Sequence, residues 1–262
     1  MFRARISVAT QSLGLPLRRA IEFAMECRAG GVQFDLRNQL LPRDFGDTAR
    51  RQLLHELRER DLEPASGTFR LRSPLASQSR LDERLQAIRQ AITFAAQLKI
   101  RLLTIRPGRI PSTEQAAERD MLIAIVSDLA THGNREGVVL GLLPSGDSAD
   151  RMLPFVESIR TGPVVAVADV ASWALSGQSV SNQMRTLHAV IGHIEVRDAV
   201  RDQDGTGKEV PVGRGEIDWD EVAGLLEEMG YSAWLNVDRT SGAHPDEDIA
   251  NAVKYLQNLL PT

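Results

Sequence analysis

Short apolar runs alternate with longer amphipathic runs about eight times along the 262 residues, and few folds accept that pattern. The short runs read as strands over Arg5–Ala9, Gly31–Leu36, Glu63–Phe69, Arg101–Ile105, Gly137–Leu143, Val164–Ala168, His193–Arg197 and Ala233–Val237. The runs between them carry apolar residues at helical spacing. They read as helices over Leu17–Ala29, Phe45–Asp61, Leu81–Leu98, Thr113–His132, Ser148–Ile159, Gln183–Val190, Trp219–Met229 and Asp246–Leu259. Leu81–Leu98 is the clearest, with Leu85, Ile88, Ile92 and Ala95 on one face.

Strands that alternate with helices pair in parallel. Eight such units predict an α/β chain closed into a (β/α)8 TIM barrel, a fold that takes about 250 residues. The whole chain, 1–262, then forms one barrel domain. A doubly wound open sheet is the rival, but it calls for a glycine-rich phosphate loop after the first strand. The segment Thr10-Gln-Ser-Leu-Gly-Leu-Pro16 is not that fingerprint. The longest irregular stretch, Asp198–Ile217, is too short for a second domain.

A net charge of -4 gives no general reason to expect nucleic acid or an anionic membrane as partner. No stretch approaches the roughly 20 apolar residues of a membrane span, and the N-terminal Met-Phe-Arg-Ala-Arg-Ile-Ser-Val contains no apolar run of signal length. The expectation is a cytoplasmic enzyme or small-molecule-binding protein, with no organic cofactor; a homo-oligomer is compatible with the sequence. Cys27 is the only cysteine, so it forms no internal disulfide and reads as an inert buried thiol. Arginine supplies nearly all the positive charge, because Lys99, Lys208 and Lys254 are the only lysines.

In this fold, reactive groups come from the C-terminal ends of the strands and the loops after them. Those positions hold Gln11, Arg37, Arg70, Arg106, Asp169, Glu195, Arg197, Asp198, Asp238 and Arg239. Period-two alternation places His193, Glu195 and Arg197 on one face of the seventh strand, taken to point inward. Asp169, Glu195 and Asp238 lie on neighbouring strands and could converge. Unpaired, they would repel one another, which a divalent cation such as magnesium or manganese would relieve. The competing reading pairs them with the arginines. Arg37, Arg70, Arg106, Arg197 and Arg239 would alternatively hold a phosphate or carboxylate ligand through bidentate hydrogen bonds. Trp173, shortly after Asp169, could form an apolar wall for a sugar ring. His193 sits below the rim and reads as a hydrogen-bonded core residue.

The segments His193-Ile-Glu-Val-Arg-Asp198 and Pro211-Val-Gly-Arg-Gly-Glu-Ile-Asp-Trp219 resemble the sugar phosphate isomerase/epimerase family of the xylose-isomerase-like barrel superfamily. Ala29-Gly-Gly-Val-Gln-Phe34 is similar to that family's second strand, and Gly230–Asp238 to its eighth. The resemblance implies a divalent metal held by residues ending strands five to eight, and proton transfer next to a carbonyl. Carried over residue by residue, the strand-five glutamate falls on Leu143 and the strand-six aspartate on Asp169. The histidine that often follows falls on Ser172, and the strand-seven histidine on Glu195. The family's lysine falls on Arg197, the strand-eight glutamate on Asp238 and a strand-two glutamate on Gln33. This predicts a sugar or sugar-phosphate isomerase/epimerase-like protein with an incomplete metal site. Asp169, Glu195 and Asp238 are the candidates for metal binding or acid/base work. The alternative is an inactive member of the superfamily that binds a carbohydrate or other anionic small molecule. The superfamily's endonuclease IV branch needs many histidine and acidic zinc ligands, which this rim lacks.

Overall fold

The computed structural model describes residues 4–260; the extreme ends of the 1–262 span lie outside them. Eight parallel strands close a barrel: β1 (Arg5–Ala9), β2 (Gly31–Asp35), β3 (Glu63–Phe69), β4 (Leu102–Ile105), β5 (Val139–Leu142), β6 (Val164–Asp169), β7 (Ile191–Val196) and β10 (Trp234–Val237). They pair in chain order, and β10 closes the ring against β1, with Ile6 opposite Leu235 and Val8 opposite Val237. The register shifts between Val32 and Gln33 on β2 and between Ala166 and Val167 on β6.

Around the barrel run α1 (Leu17–Glu26), α2 (Asp47–Arg58), α3 (Leu81–Gln97), α4 (Ala116–Glu136), α5 (Ala149–Ser158), α6 (Val170–Leu175), α7 (Val180–Leu187), α8 (Trp219–Glu228) and α9 (Pro245–Leu259). The face of α3 foreseen from spacing is the one that packs inward, with Ile88, Ile92 and Ala95 buried. Burying an isoleucine fully contributes about 1.5–3 kcal/mol, so this face outweighs the weak propensity of any single residue. No helix among the described residues is long and apolar enough to cross a membrane.

Several element ends differ from the sequence reading, and three differences change the architecture. The fourth helix runs on to Glu136, because Gly137 adopts a left-handed φ of 73° and caps it; the fifth strand therefore starts at Val139. The stretch after β6 contains two helices rather than one. Asp169 and Ser179 each cap a helix start, accepting backbone N–H bonds from Ser172 and Asn182, respectively. The segment expected to be irregular holds an antiparallel hairpin, β8 (Asp198–Arg201) with β9 (Gly207–Val210). Its turn is closed by the Asp202 N–H donating to the Thr206 carbonyl, with Gly205 at φ 85°.

Candidate active site at the barrel mouth

Side chains on the inner face of the barrel form a buried polar network beneath the mouth. Ser7 Oγ donates to Asn236 Oδ1, and Asn236 Nδ2 donates to Glu195 Oε2 at 2.6 Å. Gln33 Nε2 lies 3.1 Å from Glu195 Oε1 and 3.0 Å from Ser66 Oγ. His193 Nε2 stands 3.6 Å from Glu195 Oε1, and the histidine is wholly buried as expected of a core residue. Both oxygens of Glu195 are thus held from below.

Burial opposes ionisation of Glu195, but His193 and the amides of Asn236 and Gln33 outweigh it and lower its pKa. Asp238 is shifted the other way. Burial, and then the nearby charge of Glu195, raise its pKa above the ordinary aspartate value, against the opposing pull of Arg197, Ser12 and Arg70. Asp238 Oδ1 accepts from Ser12 Oγ and from the Arg239 N–H, while Oδ2 has only Arg70 Nη2 near it, at 3.9 Å. Asp238 therefore keeps one oxygen uncommitted at the mouth and gives up its proton less readily than an ordinary aspartate.

Above this floor lies a cavity of about 270 Å³. Its polar lining includes Gln33, Arg70, Arg106, Asp169, Glu195, Arg197, Asp238 and Thr240, and its apolar lining Phe69, Leu71 and Leu143. That volume suits a small metabolite. The structure thus brings together Arg70, Arg106, Asp169, Glu195, Arg197 and Asp238 from the expected set.

The remaining expected ligand-binding residues are placed elsewhere. Trp173 is wholly buried on α6, where the cap at Asp169 turns it into the core, and it does not line the cavity. Arg239 is spent on Glu209 (3.1 Å) and Asp248 (2.9 Å). Arg37 is carried outward by the turn after β2, where Asp35 accepts the Arg37 and Asn38 backbone N–H groups; it lines a separate groove. Asp198 faces away from the cavity and pins the following loop, accepting from the N–H groups of Gly213 and Gly215 and from Trp219 Nε1. Cys27 is only half-buried, and burial pushes its thiol up to about 11, so it is protonated at neutral pH.

Sequence reasoning passed over Ser12, Asn236 and Glu209. Asn236 had a signal: alternation along the last strand turns it inward beside Glu195. Ser12 and Glu209 had none, because they arrive from a short 3-10 turn and from the hairpin.

The donor set does not fit a divalent cation. Asp169 Oδ1 accepts from Arg197 Nη2 at 2.5 Å and Oδ2 from Arg106 Nη2 at 3.0 Å, so two guanidinium cations stand where a metal would bind. Leu143 offers no donor, and Glu195 is committed to Gln33 and Asn236. Among the described residues, no three His, Cys, Asp or Glu side chains come together as a metal-holding group.

Comparison with known proteins places the fold. The chain is similar in structure to a xylose isomerase domain protein from Planctomyces limnophilus, with a TM-score of 0.85 and 18% identity over 98% of this chain and 96% of that one. It is similar to the probable 3-DHS dehydratase AsbF from Bacillus anthracis, with a TM-score of 0.81 and 15% identity over 97% and 99% of the two chains. A D-psicose 3-epimerase from Clostridium cellulolyticum H10, solved with D-tagatose, aligns with a TM-score of 0.79 and 13% identity over 98% and 100%. At such identities the likeness speaks for the fold. No curated protein matches the sequence. The family profile described as xylose isomerase-like TIM barrel matches residues 21–259, and the chain therefore belongs to the xylose isomerase-like TIM barrel family.

Proposed function

We propose that the protein is an isomerase or epimerase of a sugar or sugar phosphate, moving a proton at a carbon next to a carbonyl without a divalent cation. The observation that carries this reading is the split between two carboxyls at one mouth: Glu195 shifted down, Asp238 shifted up. Opposed shifts of neighbouring titratable groups mark acid/base assignments. Asp238, whose raised pKa makes it a stronger base, once ionised, than an ordinary aspartate, takes the proton through Oδ2. The C–H electron pair then moves onto the carbonyl oxygen, giving an enediolate. Arg70 and Arg106 stabilise that anion in place of a metal. For isomerisation, Asp238 delivers the proton to the adjacent carbon while a proton passes between the two enediolate oxygens. For epimerisation, a solvent proton enters on the opposite face of the planar enediolate and Asp238 passes its own to solvent. Glu195 stays ionised and keeps the pKa of Asp238 high. Asp169 acts as a positioning residue that orients Arg106 and Arg197.

The test is deuterium incorporation from D2O into a panel of ketoses, aldoses and their phosphates, read by mass spectrometry with and without EDTA. Exchange next to the carbonyl is expected to survive EDTA and to fall by about 10²–10⁴ in Asp238→Asn, the usual contribution of a positioned acid/base. Calorimetric binding of the same compounds with no exchange would leave a binding protein rather than an enzyme. Exchange abolished by EDTA would overturn the metal-independent reading.

A further inference from the structure

Beside the mouth lies a second, larger concavity of about 570 Å³, between the loop after β2 and the first turns of α3. Its lining carries five arginines, Arg37, Arg43, Arg72, Arg80 and Arg84, against one acid, Glu83. This local excess of positive charge sits on a chain whose net charge is -4. The ion pairs that two of these arginines make are long and exposed: Arg43–Asp44 at 3.8 Å and Arg80–Glu83 at 3.9 Å. Among the described residues, Arg37, Arg72 and Arg84 have no carboxylate partner at all.

Two of the three are fixed in place without being neutralised. Arg84 donates to the carbonyls of Leu75 (3.0 Å), Ser77 (2.7 Å) and Ser79 (2.6 Å). Arg37 donates to the Arg70 carbonyl at 2.7 Å and lies over the Phe69 ring at 5.2 Å. Carbonyls and an aromatic face orient a guanidinium but leave its charge in place. Burial lowers the pKa of Arg37 most and Arg72 next, Asp35 pulls the other way, and Arg84 adds a smaller lowering, so like charges crowd Arg37. A repulsive, preoriented cluster lowers its free energy when an anion enters.

We propose that this groove is a second binding site, for a phosphate-bearing small molecule. The groove is a half-open concavity of limited volume, floored by Leu36, Phe69, Ala87 and Ala91, a size that suits an organic phosphate rather than an extended nucleic-acid backbone. Phe69 also lines the mouth cavity, so the two sites share a wall. The proposal does not depend on the reaction assigned to the mouth.

The probe is inorganic pyrophosphate, titrated calorimetrically into the full chain and into Arg72→Ala, Arg43→Ala and Arg106→Ala. Arg72 and Arg43 are exposed, so their removal leaves the fold intact. Saturable binding is expected, about tenfold weaker in Arg72→Ala, as for loss of one charge-assisted hydrogen bond, and unchanged in Arg106→Ala. Weakening in Arg43→Ala as well would support the groove as the site. Binding weakened only in Arg106→Ala would place pyrophosphate in the mouth and overturn the proposal. Failure to bind at millimolar pyrophosphate would overturn it too.

Discussion

On one side of the barrel mouth, Arg106, Asp169, Arg197, Glu209, Arg239 and Asp248 form a chain in which the sign of the charge alternates at every step. On the other side, Arg37, Arg72 and Arg84 share a groove whose one lining acid, Glu83, pairs with Arg80 instead. Both regions are rich in arginine, and both border the same cavity. In the first, every guanidinium is answered by a carboxylate, and the product is shape: the chain links the ends of β4, β6, β7 and β10 to the hairpin and to α9. In the second, charge is left over. Counting arginines at strand ends could not separate these cases, because their difference lies in which carboxylates the hairpin brings to them. Glu209 on β9 is the deciding residue, since it satisfies both Arg197 and Arg239.

The comparison breaks most visibly at Arg197. Its side chain is only 12% exposed, and burial resists its charge, but Asp169, Asp238 and Glu209 outweigh that and raise its pKa. Arg197→Ala would leave Asp169 and Glu209 buried without their shared partner, a loss of about 3–5 kcal/mol. Urea unfolding checks this, and a loss below about 1 kcal/mol would mean that the chain does not brace the mouth.

Gly215→Ala should cost less, about 1–3 kcal/mol, as a small overpacking. A Cβ there would come 2.0 Å from Asp198 Oδ1 and 2.5 Å from the Ala199 carbonyl, both held by the hairpin. Thermal unfolding reads it; an unchanged midpoint would show that the loop after β9 can shift freely.

A third experiment sharpens the account of the cavity between the two regions. The pKa of Asp238 is raised first by burial and second by Glu195. Glu195→Gln removes the charge and keeps the burial, so Asp238 should titrate at lower pH in the variant than in the parent chain. Carbon-detected NMR of the carboxyl follows this directly. Because its folded pKa is raised, Asp238 favours folding at low pH, and that contribution is lost as pH rises through its folded pKa. Glu195 behaves oppositely: its contribution is present above the unfolded value of about 4.3 and lost as pH falls through its depressed pKa. The stability of Glu195→Gln should therefore fall less on acidification than that of the parent chain.

The barrel was legible because its signals are local. Period-two runs, helical faces and the alternation between them survive in sequence, and closure follows from counting units. Half of the site was legible for the same reason: Asp169, Glu195 and Asp238 fall at strand ends, where side-chain direction is fixed by alternation. Trp173 and Arg239 lie outside the cavity lining because sequence proximity to a strand end does not fix direction once the chain turns. A helix cap at Asp169 rotates the tryptophan inward, and a hairpin residue captures the arginine. The Leu143 and Glu195 departures from the family pattern were readable as identities. The pairing of Asp169 with Arg106 and Arg197, one of two competing readings of the sequence, follows from barrel closure, which sets β7 beside β6 and β4 one strand beyond β5.

The smallest expected effect tests the other side of the comparison. Arg72 is exposed, has no acid partner among the described residues and faces Arg37 and Arg84. If the groove were held together by its arginines, Arg72→Ala would destabilise the fold. If instead the cluster is repulsive until an anion enters, the same change should leave stability within about 0.5 kcal/mol or raise it slightly, more so at low salt, where repulsion is least screened. Chemical denaturation at two salt concentrations separates these signs. A salt-dependent gain in Arg72→Ala, set beside a large loss in Arg197→Ala, would mean that the paired Arg197 braces the mouth while the unpaired arginines of the groove keep their charge for a ligand.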